Sequence, residues 1–236
     1  MVPTAELSPL TQTQRLVAHH MAALAATDAD LVRHSSAVAD YAMVIADRLG
    51  WSHVLRAELY LAGMLHDVGK TCIDPAILHA PGRLSREQWI EMRSHVELGL
   101  KLLEGTVSPV VIRYIAGHHE RVDGTGYPRL LGAGEISVGS KILAFADSFD
   151  AMTSSRCYRA AMTFHRAIEE VRACSGTQFD SDVAGAAWAT FADGLLVPGC
   201  GLDDDRAQTV PADGLGHVRV AARGKSFGGG RAFRLA

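Results

Sequence analysis

Through the first 195 residues the apolar side chains recur at three- and four-residue intervals, and no stretch alternates long enough to build a half-buried strand. That spacing restricts the body of the chain to helices, because only a helix gathers such positions on one face. Val32, Val38, Tyr41, Ala42 and Ile45 predict a helix over about residues 30–49, stopped by Gly50 as a left-handed cap. Leu55, Leu59, Ala62 and Leu65 carry the pattern over about 53–67. Ser85, with Gln88 three positions on, forms a capping box that opens a long helix reaching about residue 103. Ser108 followed by Pro109 opens another that leads to His118 and His119. Ile142, Phe145, Ala146 and Phe149 mark a helix over about 136–152, and two shorter ones are expected at about 164–174 and 181–192, the latter capped by Asp180. Ahead of all these, an alanine-rich amphipathic helix over about 10–26 suits internal packing or a homodimer.

Breakers place the loops. Asp74-Pro75 and Pro81-Gly82 make 71–84 a loop with at most a short helical turn at 75–78, and Gly124, Gly126, Pro128, Gly132 and Gly134 force irregular backbone over 123–135. From residue 197 the composition shifts to glycines, an acidic triplet at Asp203 to Asp205 and a basic end containing Gly224-Lys225-Ser226. A phosphate-binding loop there would need glycine where Arg219 stands, so this tail is expected to be flexible or a small β-hairpin with no catalytic part. The expected organisation is a helical lead over 1–28, a catalytic body over 29–196 and the glycine-rich tail over 197–236.

With 48% apolar and 21% charged residues and a net charge of -3, the chain has the balance of a soluble globular protein, with no electrostatic case for a nucleic-acid polymer or an acidic membrane surface. Cys72, Cys157, Cys174 and Cys200 are scattered without a CxxC pair, which reads as reduced thiols in a cytoplasm. No run approaches the roughly 20 apolar residues that a membrane helix needs.

The chemistry is concentrated at helix ends. His66 and Asp67 close one helix and Lys70 follows them; His95 lies in the long helix; His118 and His119, followed by Glu120, close another. Asp30 and His34 share one helix face, four residues apart. Asp147 stands in the apolar run Ala144-Phe145-Ala146, where an ionised carboxylate without a cation costs several kcal/mol. Histidines and carboxylates from separate helices, with no cysteine among them, suit two adjacent octahedral or five-coordinate ions such as iron or manganese better than structural zinc. His19, His20, His53, His79, His165 and His217 read as ordinary surface residues.

These motifs carry a resemblance. His66-Asp67-Val68-Gly69-Lys70 with His34 upstream resembles the HD superfamily of metal-dependent phosphohydrolases. His118-His119-Glu120 with Asp123-Gly124-Thr125-Gly126-Tyr127-Pro128, then 146–156 and 176–180, is similar in order and spacing to its HD-GYP branch, bacterial cyclic di-GMP phosphodiesterases. The likeness runs over about residues 28–195.

The resemblance implies an HD-type helical bundle with a glycine-rich GYP loop, and hydrolysis of cyclic di-GMP to pGpG, with GMP as a further product, by a hydroxide bridging two metal ions. Metal ligands are expected at His34, His66, Asp67, His95, His118, His119 and Asp147, with Asp67 as the bridge. Lys70, Arg156 and Arg159 are expected to contact substrate, and His66, Asp67 and Lys70 to carry catalysis. The loop Asp123, Gly124, Gly126, Tyr127, Pro128 is tied in that family to fold integrity and to docking partners such as diguanylate cyclase domains. Relatives with a third metal have glutamate where this chain has Asp30, one methylene shorter, and the usual Arg-Pro-Tyr is Arg156-Cys157-Tyr158. Another cyclic dinucleotide or nucleotide phosphoester as substrate, or a silent cyclic di-GMP receptor, stand as the alternative readings.

Overall fold

The computed structural model describes residues 12–155 and 160–196, and among them there are helices and isolated bridges but no sheet. The tail and residues 156–159, including Arg156 and Arg159, lie outside the described residues. Helix α1 spans Gln12–Thr27, α2 Ala29–Arg48 and α3 His53–Leu65, followed by a 3-10 segment Val68–Cys72. Then come α4 Pro75–Leu78, α5 Arg86–Arg93, α6 His95–Leu103, α7 Pro109–Ala116, α8 Val138–Thr153, α9 Phe164–Ala173 and α10 Ser181–Ala192. No helix among the described residues is long and apolar enough to cross a membrane.

Side-chain caps set most of the starts. Asp28, Ser52, Asp74, Ser85, Ser108, Ser137, Thr163 and Asp180 each accept a backbone N–H of the following turn, which satisfies donors that a helix leaves open. The capping box at Ser85 and Gln88 is present, and α2 ends at Gly50 with φ 74°. Two expectations need correction. The single helix from 85 to 103 is broken at Ser94: its hydroxyl donates to the Glu91 carbonyl at 2.6 Å and His95 Nδ1 donates to the Met92 carbonyl at 2.6 Å, so side chains compete for the carbonyls that the ladder would use. His20 is buried rather than exposed, because α1 lies across α2 and the 3-10 segment and its inner face takes this residue.

The core is built on α2, which packs against both α3 and α8. Tyr41 meets Phe149 edge-on at 5.2 Å, and Phe149 meets Phe164 at 5.1 Å, tying α2, α8 and α9 together. Burying a ring such as that of Phe149 stabilises the fold by about 2–3 kcal/mol. The 3-10 segment is pressed onto α6 at Gly69, where a Cβ would stand 1.9 Å from the His95 carbonyl oxygen and 2.5 Å from the Gly99 nitrogen. Only glycine allows that approach, and the approach sets His95 beside Asp67.

Candidate metal centre and active site

The helix ends converge on one buried cluster. His34 comes from the middle of α2, His66 and Asp67 from just past α3, His95 from the start of α6, and His118 and His119 from just past α7. Asp147 comes from α8. Asp67, His95, His118 and His119 form one group whose potential ligand atoms all lie within 4.8 Å of one another, and His34, His66 and Asp67 form a second. Asp67 belongs to both. Its Oδ1 faces His95 Nε2 at 3.5 Å, while its Oδ2 faces His66 Nε2 at 3.4 Å and His34 Nε2 at 3.6 Å. Asp147 also spans the two groups, with Oδ1 3.1 Å from His34 Nε2 and Oδ2 3.7 Å from His119 Nδ1.

The tautomers follow from the partners. Nδ1 of His66 donates to the Gly63 carbonyl at 2.7 Å, that of His95 to Met92 at 2.6 Å and that of His118 to Ile115 at 2.6 Å. A carbonyl only accepts, so Nδ1 carries the proton, and in the neutral ring it is Nε2 that presents a lone pair to the cluster. Those three Nε2 atoms and Asp67 Oδ1 are buried without a hydrogen-bond partner. Leaving so many polar atoms unsatisfied would cost on the order of 1–3 kcal/mol each. A divalent cation satisfies them together, and the donor set of neutral imidazoles and carboxylates fits one.

The electrostatics agree. Burial pushes the Asp67 carboxyl up, but Lys70, His66 and His95 overcome it and hold the group well below the usual carboxylate range. Burial likewise raises Asp147, and the hydrogen bond from His34 and the nearby His119 outweigh it, so it too stays ionised. Burial depresses His95, His118 and His119, the last to about 3, which keeps these imidazoles neutral. His34 is the exception: burial opposes its charge, yet the bonds to Asp147 and Asp150 raise it to about 9.

Lys70 Nζ lies 2.5 Å from Asp67 Oδ2 and is partly open to solvent, so it stands at the rim with a positive charge directed inward. Asp30 is exposed, bonds Arg33 at 3.3 Å and belongs to neither ligand group.

The loop after His119 is held from two sides. Asp123 accepts from Arg121, with Nη2 to Oδ2 at 2.8 Å, and from the Thr125 hydroxyl at 2.6 Å, while its own N–H donates to the Thr177 carbonyl at 2.9 Å. Arg121 also donates to Gln178 at 2.8 Å, so the motif at 176–180 is a clasp for this loop. At Gly126 a Cβ would meet the Glu120 Cα at 2.5 Å. The bond between Tyr127 and Pro128 is cis, and the Tyr127 ring stacks on His119 at 4.6 Å.

Sequence reasoning missed three contributors. Asp150 accepts from His34 Nδ1 at 2.7 Å; the signal was its position three after Asp147, one helical turn along. Glu120 is buried and accepts from the Arg129 and Leu131 amides at 2.7 and 3.0 Å, a role for which the sequence held only its adjacency to His119. Arg93 lies with its guanidinium 4.9 Å from the Tyr127 ring centroid and 5.8 Å from that of Trp89, and no sequence pattern marked it.

The profile of the HD domain family matches residues 16–183. A cyclic di-GMP phosphodiesterase of Thermotoga maritima is 37% identical over 162 residues, covering 67% of this chain and 44% of the relative. A 3'3'-cGAMP-specific phosphodiesterase of Vibrio cholerae is 40% identical over 137 residues, 57% of this chain and 30% of the relative. The chain thus spans less than half the length of these curated relatives. Among solved structures, a cyclic GMP-AMP specific phosphodiesterase of Vibrio cholerae superposes with a TM-score of 0.58 over 86% of this chain and 55% of that one; at 16% identity this is a likeness of fold.

Proposed function

The chain belongs to the HD-domain family, and from that premise we propose that it hydrolyses a 3′,5′-phosphodiester of cyclic di-GMP to linear pGpG, with GMP arising from a second cut. The observation that carries the reading is the convergence of unpartnered Nε2 atoms of His66, His95 and His118 on Asp67. His95, His118, His119 and Asp67 would hold one divalent ion, and His34, His66 and Asp67 a second, with Asp147 reaching both. Iron or manganese fits the donor set. Bound there, such ions supply Lewis-acid polarisation of the phosphoryl oxygens and lower the pKa of water.

The remaining work falls to the chain's own residues. Asp67 and Asp147 stay ionised at neutral pH because their neighbours hold both carboxyls below the usual carboxylate range. His118 and His119 stay neutral, so they keep lone pairs available. Lys70 stands where it would steady the non-bridging oxygens of the phosphate as charge develops. Arg156 and Arg159 are proposed to contact the substrate, residues 29–196 to form the catalytic domain, and the loop 123–128 to serve docking partners such as a diguanylate cyclase domain.

Incubating anaerobically purified protein, loaded with iron or manganese, with cyclic di-GMP and separating the products tests the reading. Release of pGpG is expected; no cleavage with either metal overturns it. A second substrate has a specific basis in the 40% identity to a 3'3'-cGAMP-specific enzyme, and a competition between the two dinucleotides ranks them.

A further inference from the structure

We infer that Arg93 binds the second, uncleaved phosphate of a cyclic dinucleotide whose first phosphate lies at the cluster. The inference rests on the function proposed above and assigns a subsite to it.

A cyclic dinucleotide carries two phosphodiesters, and when one enters the histidine and aspartate cluster the other remains as a separate anion that needs a partner. The basic side chains within three residues of the cluster are Arg33, Lys70, Arg93 and Arg121. Lys70 is held by Asp67, Arg121 by Asp123 and Gln178, and Arg33 by Asp30 and the Ser154 hydroxyl. Arg93 differs from them. Among the described residues it makes no ion pair, and its contacts are the faces of Tyr127 and Trp89. A guanidinium held over aromatic faces has no carboxylate taking up its N–H donors, so they stay available to an incoming oxyanion.

The mount is attached to the site. Tyr127 stacks on His119 at 4.6 Å with 27° between the rings, and the Arg93 head lies 4.9 Å from the centroid of that same Tyr127 ring, one aromatic ring from a cluster imidazole. Its backbone is fixed just two residues before His95. Helix α5 is closed at its start by the capping box of Ser85 and Gln88 and is tied to the preceding loop where Glu91 accepts from the Asp74 amide at 3.3 Å. Trp89 and Ile90 on this helix are exposed at 47% and 65%, so the surface beside Arg93 is open to a ligand. A substrate with a single phosphate would meet the cluster without using Arg93.

Steady-state kinetics on the metal-loaded chain test this with Arg93→Met, which keeps the aliphatic cover over both rings without the charge, and with Arg93→Lys, which keeps the charge without the planar fork. For Arg93→Met, KM for cyclic di-GMP is expected to rise roughly 10- to 100-fold, the loss of one charge-assisted contact, while kcat changes little. KM for bis(p-nitrophenyl) phosphate, which has one phosphate, should rise by less than about threefold on the same reasoning. Arg93→Lys is expected to recover most of the loss, because a phosphate accepts a point charge. Equal damage to both substrates, or to kcat alone, overturns the inference in favour of a structural role through Tyr127. A lysine no better than methionine overturns the phosphate assignment in favour of a base edge read by the guanidinium fork. Wild-type protein that cleaves cyclic di-GMP while Arg93→Met does so equally well sinks the inference alone. Wild-type protein that cleaves bis(p-nitrophenyl) phosphate but neither binds nor cleaves cyclic di-GMP sinks the function reading and this subsite together.

Discussion

The two halves of the cluster are aimed by different means. His66, His95 and His118 sit at helix ends and each gives its Nδ1 proton to a backbone carbonyl three residues earlier, whereas His34 sits in mid-helix and gives its proton to the Asp150 carboxylate. At a helix end the last carbonyls lack the N–H four residues on and keep a lone pair open, so a histidine there is oriented by the backbone itself. In mid-helix the carbonyls are already used, and orientation has to come from another side chain. The first arrangement spends only backbone acceptors, and burial keeps His95 and His118 neutral; the second couples the ring to carboxylates, and against burial Asp147 and Asp150 raise His34 to about 9. One half of the site is therefore built by backbone geometry and the other by electrostatics.

Substitutions can break each half separately. The largest effect is expected at Gly69, which governs the backbone-aimed half: in Gly69→Ala the new Cβ meets the His95 carbonyl and the Gly99 amide, backbone atoms that cannot move aside cheaply. A loss of about 3 kcal/mol in urea denaturation is predicted, with a matching loss of turnover as His95 shifts. Next is Asp150→Asn, which keeps the shape at His34 and removes the charge. Metal affinity, titrated by calorimetry, should fall about 10- to 100-fold for one of the two ions and far less for the other. Equal weakening of both ions contradicts the separation into two ligand groups.

Much of this was legible in the sequence, for reasons that particular residues make plain. Helix starts were readable because caps are local: Ser85 with Gln88 and Ser108 with Pro109 act within one turn. That the cluster side chains would come together was readable because a carboxylate such as Asp147 in an apolar helix run requires a partner, while their roles as ligands were an implication of the resemblance alone. The break at Ser94 was not, since it depends on two side chains competing for the Glu91 and Met92 carbonyls. Asp150 and Glu120 were missed because their roles depend on what lies across from them in space, a mid-helix imidazole in one case and two loop amides in the other. Arg93 was invisible for the same reason: Tyr127 lies 34 residues away in the chain and meets it only through the folded loop.

The smallest effect sharpens the contrast from outside the cluster. Asp40 lies on the same helix as His34 but pairs with no cation among the described residues, and burial raises it to about 6, near Tyr60. Its folded-state pKa exceeds the unfolded value, so the unfolded chain releases the proton first as pH rises and stability falls between about pH 4 and 6, remaining lower above that window. With allowance for its partial exposure to solvent, Asp40→Asn should raise stability by about 1 kcal/mol at pH 7 and by nothing at pH 3.5, read from denaturation midpoints at the two pH values.

The central claim is that Asp67 joins the two ligand groups, with Oδ1 facing His95 and Oδ2 facing His66 and His34. Its most direct test is the metal content of wild-type and Asp67→Ala protein, both purified without oxygen, offered iron or manganese and checked for folded helix content by circular dichroism. Two divalent ions per wild-type chain, with both lost from the folded variant, are the predicted result. A folded Asp67→Ala protein that still holds two ions would contradict it.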